Sequence, residues 1–281
     1  MNEIIYAIII GIVQGLTEFL PVSSTAHMTI AAKLLGSNLF DDPRIWTAAM
    51  ATIQLGTLAS LLFHFHKDIF DIGKDFLWDE TSYRIYNFNT MKTNARLGWM
   101  ILIGSLPIFL LGYLLKDIIE GDFTKSLWTI SSALILIAVA MFVAERVAKF
   151  KKTTMHITLA DTVLIGLAQS LALIPGVSRS GATITAGMML GLKREEAARF
   201  SFLLSIPAVF VSGIYEFVAN FQFVSGQRIV FLVVASVFAF LSGLFAISFL
   251  LRYLKTKSTL IFVVYRFILG TTIILSLLCG I

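Results

Sequence analysis

Residues 14–27, QGLTEFLPVSSTAH, and residues 175–184, PGVSRSGATI, set an acid, a histidine, an arginine and a row of hydroxyls inside strongly apolar surroundings. Gln14 and Glu18 are four apart, so on a helix an amide and a carboxylate point the same way. Ser24 and His27, three apart, share a face by the same rule. A hydroxyl nucleophile, proton carriers and the permanent charge of Arg179 are the parts that phosphoryl transfer requires. Pro21 and Pro175-Gly176 break the two segments. Ser23, Ser24 and Thr25 then stand at the start of one following helix, and Ser178, Ser180 and Thr183 at the start of another. Hydroxyls suit such starts because they satisfy orphan N–H donors. Two helix N-termini meeting at one point also favour an anion, and a guanidinium fork fits phosphate oxygens. Oxygen ligation by Glu18 and Gln14 would suit Mg²⁺ or Ca²⁺, whereas four scattered histidines and the single Cys279 give no zinc site. The plain alternative is structural: hydroxyls that only cap helices, and a Glu18–Arg179 ion pair that only holds the fold.

The elements that must position these groups are membrane helices. The chain of 281 residues is 57% hydrophobic and only 14% charged, against roughly a quarter charged in soluble domains. Six apolar runs, near 45–65, 97–116, 127–147, 200–219, 229–251 and 260–280, reach the ~20 residues a spanning helix needs. Residues 4–13 and 159–174 are too short to span and read as re-entrant half-helices, a break tolerated only where protein or a wet cavity surrounds it. The net charge of +5 falls in short inter-span loops, as orientation signals do, so no nucleic-acid partner is expected. MNEIIYAIII has no basic leader region, so a cleaved signal peptide is not expected. The loop around 67–95, mixing lysines with Asp71, Asp75, Asp79 and Glu80, reads as a solvated connector. Arg266, in VVYRFILG, is a second buried charge, read as a structural pairing in preference to a partner for a carboxylate or phosphate at the site.

Gly11, Gln14, Leu16, Val22, Ser23 and Ala31 meet Gly166, Gln169, Leu171, Val177, Ser178 and Ala186 at a constant offset of 155 (166 − 11). Three spans follow each segment, so the second unit sits inverted and the site is expected at midplane. The expected organisation is one membrane domain, 1–281. Its first repeat is 1–147 (re-entrant 1–35 plus three spans), and its second is 156–281 (re-entrant 159–191 plus three spans). Lys67, Lys74, Arg84, Lys92, Lys149, Lys151, Lys152, Lys193, Arg194, Arg252, Lys255 and Lys257 fall on one side. Only Lys33, Arg44, Lys116, Lys125 and Arg228 fall on the other, which puts both termini outside.

With these residues in view the chain resembles the bacterial undecaprenyl-diphosphate phosphatases of the bacitracin-resistance family. QGLTEFLPVSSTAH is similar to that family's [QE]xxxE and Ser–His segment, and PGVSRSGAT to its PGxSRSxxT signature. The resemblance implies an all-α polytopic enzyme of the bacterial inner membrane, with its site open to the outer face. That enzyme hydrolyses a C55 polyprenyl diphosphate to the monophosphate, which recycles the lipid carrier of cell-wall synthesis. It also implies divalent-cation dependence and a homodimer. By position, Glu18, Ser24, His27 and Arg179 are the expected catalytic residues, with Ser23, Ser178 and Thr183 beside them. Gln14 stands where other members carry Glu, so the metal-ligand role falls on Glu18 alone. Acid-phosphatase-like lipid phosphatases fit poorly, since no Arg-Pro dipeptide is present. Two mechanisms compete: attack by Ser24, with His27 or Glu18 taking its proton, or direct attack by water. A carrier for polyprenyl phosphate, built on the same inverted repeat, is the alternative of a different class.

Overall fold

The computed structural model describes residues 3–35, 43–78, 91–119, 126–219 and 227–280. Eleven helices of eleven residues or more organise them, with one isolated bridge, Lys152–Leu192, the sole extended pairing among the described residues. They are α1 (Glu3–Phe19), α2 (Ser24–Leu35), α3 (Pro43–His64), α4 (His66–Trp78), α5 (Thr93–Leu114), α6 (Leu127–Val147), α7 (Leu159–Ser170), α8 (Arg179–Met189), α9 (Arg194–Ala219), α10 (Gln227–Leu254) and α11 (Leu260–Cys279). Six of them, α3, α5, α6, α9, α10 and α11, are long and apolar enough to cross a membrane.

Some boundaries differ from the expectation, each for a physical reason. Helix α9 starts at Arg194, earlier than its apolar run, because Glu195 and Glu196 favour a helix N-terminus. Helix α1 does not end at Gln14 but runs on to Phe19. Gln14, Thr17 and Glu18 each make a side-chain hydrogen bond, so they do not break it; Pro21 does, by disfavouring helical geometry at Leu20. The supposed connector 67–95 contains helix α4, which the charge-rich composition concealed. Residues 79–90 of that loop, including Asp79, Glu80 and Arg84, lie outside the described residues, as does Lys125.

Helix α1 packs along α10, α7 along α5, and α6 along α11. The first two contacts use the same device. A Cβ on Gly11 would stand 2.3 Å from the Ala235 carbonyl oxygen, and one on Gly166 would stand 2.4 Å from that of Gly104. Only glycine permits backbones this close. Gly166→Ala is therefore expected to cost about 1–3 kcal/mol through overpacking, read as a lower melting temperature in detergent. Phe19 closes α1 edge-on against Phe202 of α9, with ring centroids 5.5 Å apart.

Polar ties gather where α6 ends and α9 and α11 begin. Glu145 takes an ion pair from Arg194 and accepts both the backbone N–H and the hydroxyl of Thr259, 3.2 and 2.8 Å away. Arg199 pairs with Asp68, and Lys152 with Asp161 at 3.1 Å. These ties fix the helix ends and leave the interior to the two broken segments.

Candidate active site

Helix α1 carries Glu18 to its last turn, where the carboxylate is 8% exposed and meets four donors. Gln14 Nε2 donates to Oε2 at 3.0 Å from one turn below, and Ser24 Oγ donates to the same oxygen at 2.8 Å. Arg179 Nη2 donates to Oε1 at 3.0 Å, and Gln54 Nε2 at 3.2 Å. All four contacts are donors, which an ionised, accept-only carboxylate matches. Residues 161 positions apart are thus joined by a short ion pair. Arg179 also donates to the Ser205 carbonyl at 3.3 Å. A guanidinium has five N–H donors, so this arrangement leaves several for an incoming anion.

The breaks that follow α1 and α7 are built alike. Ser23 and Ser178 stand just before α2 and α8 with φ of 77° and 67°. Each hydroxyl accepts an amide from the new helix: Ala26 to Ser23 at 3.4 Å, Gly181 to Ser178 at 3.2 Å. Capping in this way leaves the first amides of both helices without intrahelical partners. Ser180 Oγ donates across to the Leu20 carbonyl at 3.2 Å, so one break is tied to the other.

Arg266 holds that tie from behind. It is fully buried and meets no carboxylate; its guanidinium donates to carbonyls of Pro21 (3.2 Å), Gly176 (3.0 Å), Val177 (3.0 Å), Ala133 (3.4 Å) and Leu134 (3.2 Å). Its role is structural and its partners are backbone oxygens, because the broken helices leave the carbonyls of Pro21, Gly176 and Val177 without helical amides in an apolar interior.

His27 is placed beside Ser24 in sequence but is engaged elsewhere. Its Nδ1 lies 2.7 Å from the Ser23 carbonyl, which can only accept, so Nδ1 carries a proton. Its Nε2 lies 2.5 Å from the hydroxyl of Tyr265, whose ring stacks on the imidazole at 5.5 Å. The Ser24 proton is directed to Glu18 instead. Tyr265→Phe keeps the stacked ring and removes the contact at Nε2. With the Ser24 proton going to Glu18, it is expected to change kcat/KM by less than about twofold and to leave the pH–rate profile as it is; a larger fall with an altered profile would bring His27 into the chemistry.

The remaining expected residues divide. Gln14 is at the centre, with its Oε1 buried and unpartnered. Thr183 is buried but turned away, its hydroxyl donating to the Arg179 carbonyl at 2.8 Å and lying 2.5 Å from Ser201 Oγ. Thr25 is exposed. Gln54, Ser205 and Tyr265 escaped the sequence reading; each lies in a span with no motif around it, and a lone polar group in an apolar run was the available signal. Gln169, at the position matching Gln14, is fully buried with both side-chain polar atoms unpartnered.

No group of three or more His, Cys, Asp or Glu comes together among the described residues. Both Glu18 oxygens are already filled by donors. Among the described residues, the centre therefore offers one carboxylate and the unpartnered Gln14 Oε1, fewer oxygens than a divalent cation takes without substrate and water.

Fold and site together define a polytopic α-helical membrane protein with a buried serine–carboxylate–guanidinium centre. A family model described as "Bacitracin resistance protein BacA" matches residues 7–272, and the chain belongs to that family. An undecaprenyl-diphosphatase of Syntrophobacter fumaroxidans is 46% identical over 268 residues, 95% of each chain. One of Myxococcus xanthus is 46% identical over 278 residues, covering 99% of this chain and 90% of the relative. One of Chlorobium phaeobacteroides is 47% identical over 277 residues, 95% of each.

Proposed function

We propose that this chain hydrolyses undecaprenyl diphosphate to undecaprenyl phosphate and inorganic phosphate. This hydrolase of the bacterial cell membrane recycles the lipid carrier of peptidoglycan synthesis and thereby gives bacitracin resistance. The observation that carries the chemistry is the Ser24 hydroxyl donating to Glu18 at 2.8 Å, with Arg179 on the same carboxylate. Ser24 Oγ attacks the terminal phosphorus as its proton passes to Glu18 Oε2. The bond to the bridging oxygen breaks and the lipid monophosphate leaves. Glu18 gives that proton up to the departing lipid monophosphate. Water, giving a proton to Glu18 in its turn, then attacks the phosphoserine, and the proton returns to Ser24 Oγ as phosphate is released. Arg179 and the amides at the starts of α2 and α8 take up charge on the equatorial oxygens. The Ser23, Ser178 and Ser180 hydroxyls shape those helix starts, with Gln14 and Gln54 holding Glu18. The carrier alternative is not favoured, since the relatives bear the name of an enzyme.

Several finer points belong to the same reading. Residues 1–147 and 156–281 form an inverted repeat whose re-entrant hairpins, 1–35 and 159–191, meet at midplane. Support comes from the matched serines with positive φ, the matched glycine contacts and the offset of 155 (178 − 23). Both termini lie on the outer side, to which the site opens, as the lysine and arginine distribution supports. A homodimer, implied by the resemblance, is expected, and the mass of the detergent-solubilised particle tests it. The divalent cation, Mg²⁺ or Ca²⁺, enters as counter-ion of the diphosphate rather than as a resident of the protein. Calorimetric titration of Mg²⁺ into substrate-free protein is accordingly expected to show no binding, although turnover depends on the ion.

The deciding assay is phosphate release from undecaprenyl diphosphate by the purified protein, with and without Mg²⁺. Release that Arg179→Ala abolishes in a folded protein supports the enzyme. Lipid binding without release would overturn it in favour of the carrier.

A further inference from the structure

Helix α4 seats Ile69, Ile72 and Phe76 on the protein and yet turns further apolar residues outward. At 100° per residue Asp68, Ile72 and Asp75 share one side, and Phe70 and Leu77 the opposite one. The acidic side is taken up by the protein: Asp68 pairs with Arg199, and Asp75 accepts Asn94 Nδ2 at 2.9 Å. Asp71, Asn94, Arg96 and Glu196 complete the wall of a cavity of about 330 Å³ beneath the helix. The outward side carries Phe70, Leu77 and Trp78, exposed at 70%, 54% and 76%. Lys67 and Lys74, both exposed, flank the Phe70–Leu77 stripe.

Depth is set by the neighbours. Ile72 and Phe76 both sit against Gly98, Asp75 meets Asn94, and the Phe76 ring lies 5.1 Å from that of Trp99. These contacts fall in the first two turns of the span α5, so α4 crosses the end of the bundle instead of projecting beyond it. One residue, Phe65, separates it from the end of the span α3, whose last turn exposes Leu62 and Phe63. An aromatic stripe at that level is level with lipid.

We infer that α4 is a membrane-surface helix whose outward face, Phe70, Leu77 and Trp78, is buried in the headgroup–acyl boundary of one leaflet, with Lys67 and Lys74 reaching anionic headgroups. Aromatic and leucine side chains gain from leaving water at this boundary, and lysines extend their stems along it while keeping the charge at the headgroups. Anionic lipid adds attraction for each lysine near the surface. The protein side needs no lipid for Asp68 and Asp75, which Arg199 and Asn94 satisfy.

The lone cysteine makes the test clean. In a Cys279→Ser background, Phe70→Cys and Leu77→Cys are spin-labelled and the protein is reconstituted into phosphatidylcholine vesicles with or without phosphatidylglycerol. Collision of the label with oxygen and with a water-soluble nickel complex gives its depth. The expected result is strong oxygen and weak nickel accessibility at both positions, with a deeper label when phosphatidylglycerol is present. Lys67→Gln with Lys74→Gln should remove that phosphatidylglycerol effect and keep the oxygen preference. Labels as open to nickel as to oxygen would place the helix in water and overturn the proposal. Equal depth in both vesicle types would overturn the anionic component.

Discussion

Ser24→Ala is expected to lower phosphate release by at least about a thousandfold, the scale of losing a nucleophile that acts as a unit with its base. Glu18→Gln should fall nearly as far, because the amide cannot take the Ser24 proton and no longer offers Arg179 a charge. The two losses should not add, since both remove one step. The melting temperature of Ser24→Ala should stay near that of the wild type, because its hydroxyl supplies only one of four bonds to Glu18. Rapid quenching of the wild type during turnover of labelled lipid diphosphate should leave label on Ser24. A Ser24→Ala protein within tenfold of the wild-type rate would remove the serine from the chemistry and leave water as the attacking group.

The second large effect is structural. Arg266→Ala would strand the carbonyls of Pro21, Gly176 and Val177 in an apolar interior, and would take a second donor from those of Ala133 and Leu134, which keep their own helix's amides. Each stranded group costs about 1–3 kcal/mol, so a loss of at least about 4–5 kcal/mol is expected, the exceptional end of single substitutions. Arg266→Lys should recover a minor part, as an ammonium has three donors on one point and cannot span five carbonyls. Thermal melts in detergent measure both. If Arg266→Ala melted with the wild type, the carbonyl contacts would not be what holds the two breaks together.

Those two residues mark how far the sequence could be read. Glu18, Ser24 and Arg179 were legible because each is a charged or reactive group where charge is expensive, beside a proline that announces a break. The six spans were legible for the same reason of cost. Arg266 was visible as a buried charge, but its partners were backbone oxygens, which no residue pattern encodes. Gln54 was hidden because one amide in a span can as easily bond its own helix. The choice between His27 and Glu18 as partner of Ser24 stayed open because helical spacing fixes a shared face, not a hydrogen bond; here Ser24 Oγ meets Glu18, and His27 meets the Ser23 carbonyl and Tyr265. Helix α4 was missed because its charges suggested water, although the spacing of Ile69, Ile72 and Phe76 already carried a helical period.

Ser23 and Ser178 take a positive φ that a side chain resists, at a cost of order 1–3 kcal/mol each. Glycine would relieve that cost and give up only a few tenths of a kcal/mol as a cap. Selection for heat resistance alone would therefore drift toward glycine at both positions. The serines are a standing trade of durability for hydroxyls at the mouth of the site, and a thermostable variant carrying either glycine should be checked for turnover before it is trusted as a surrogate.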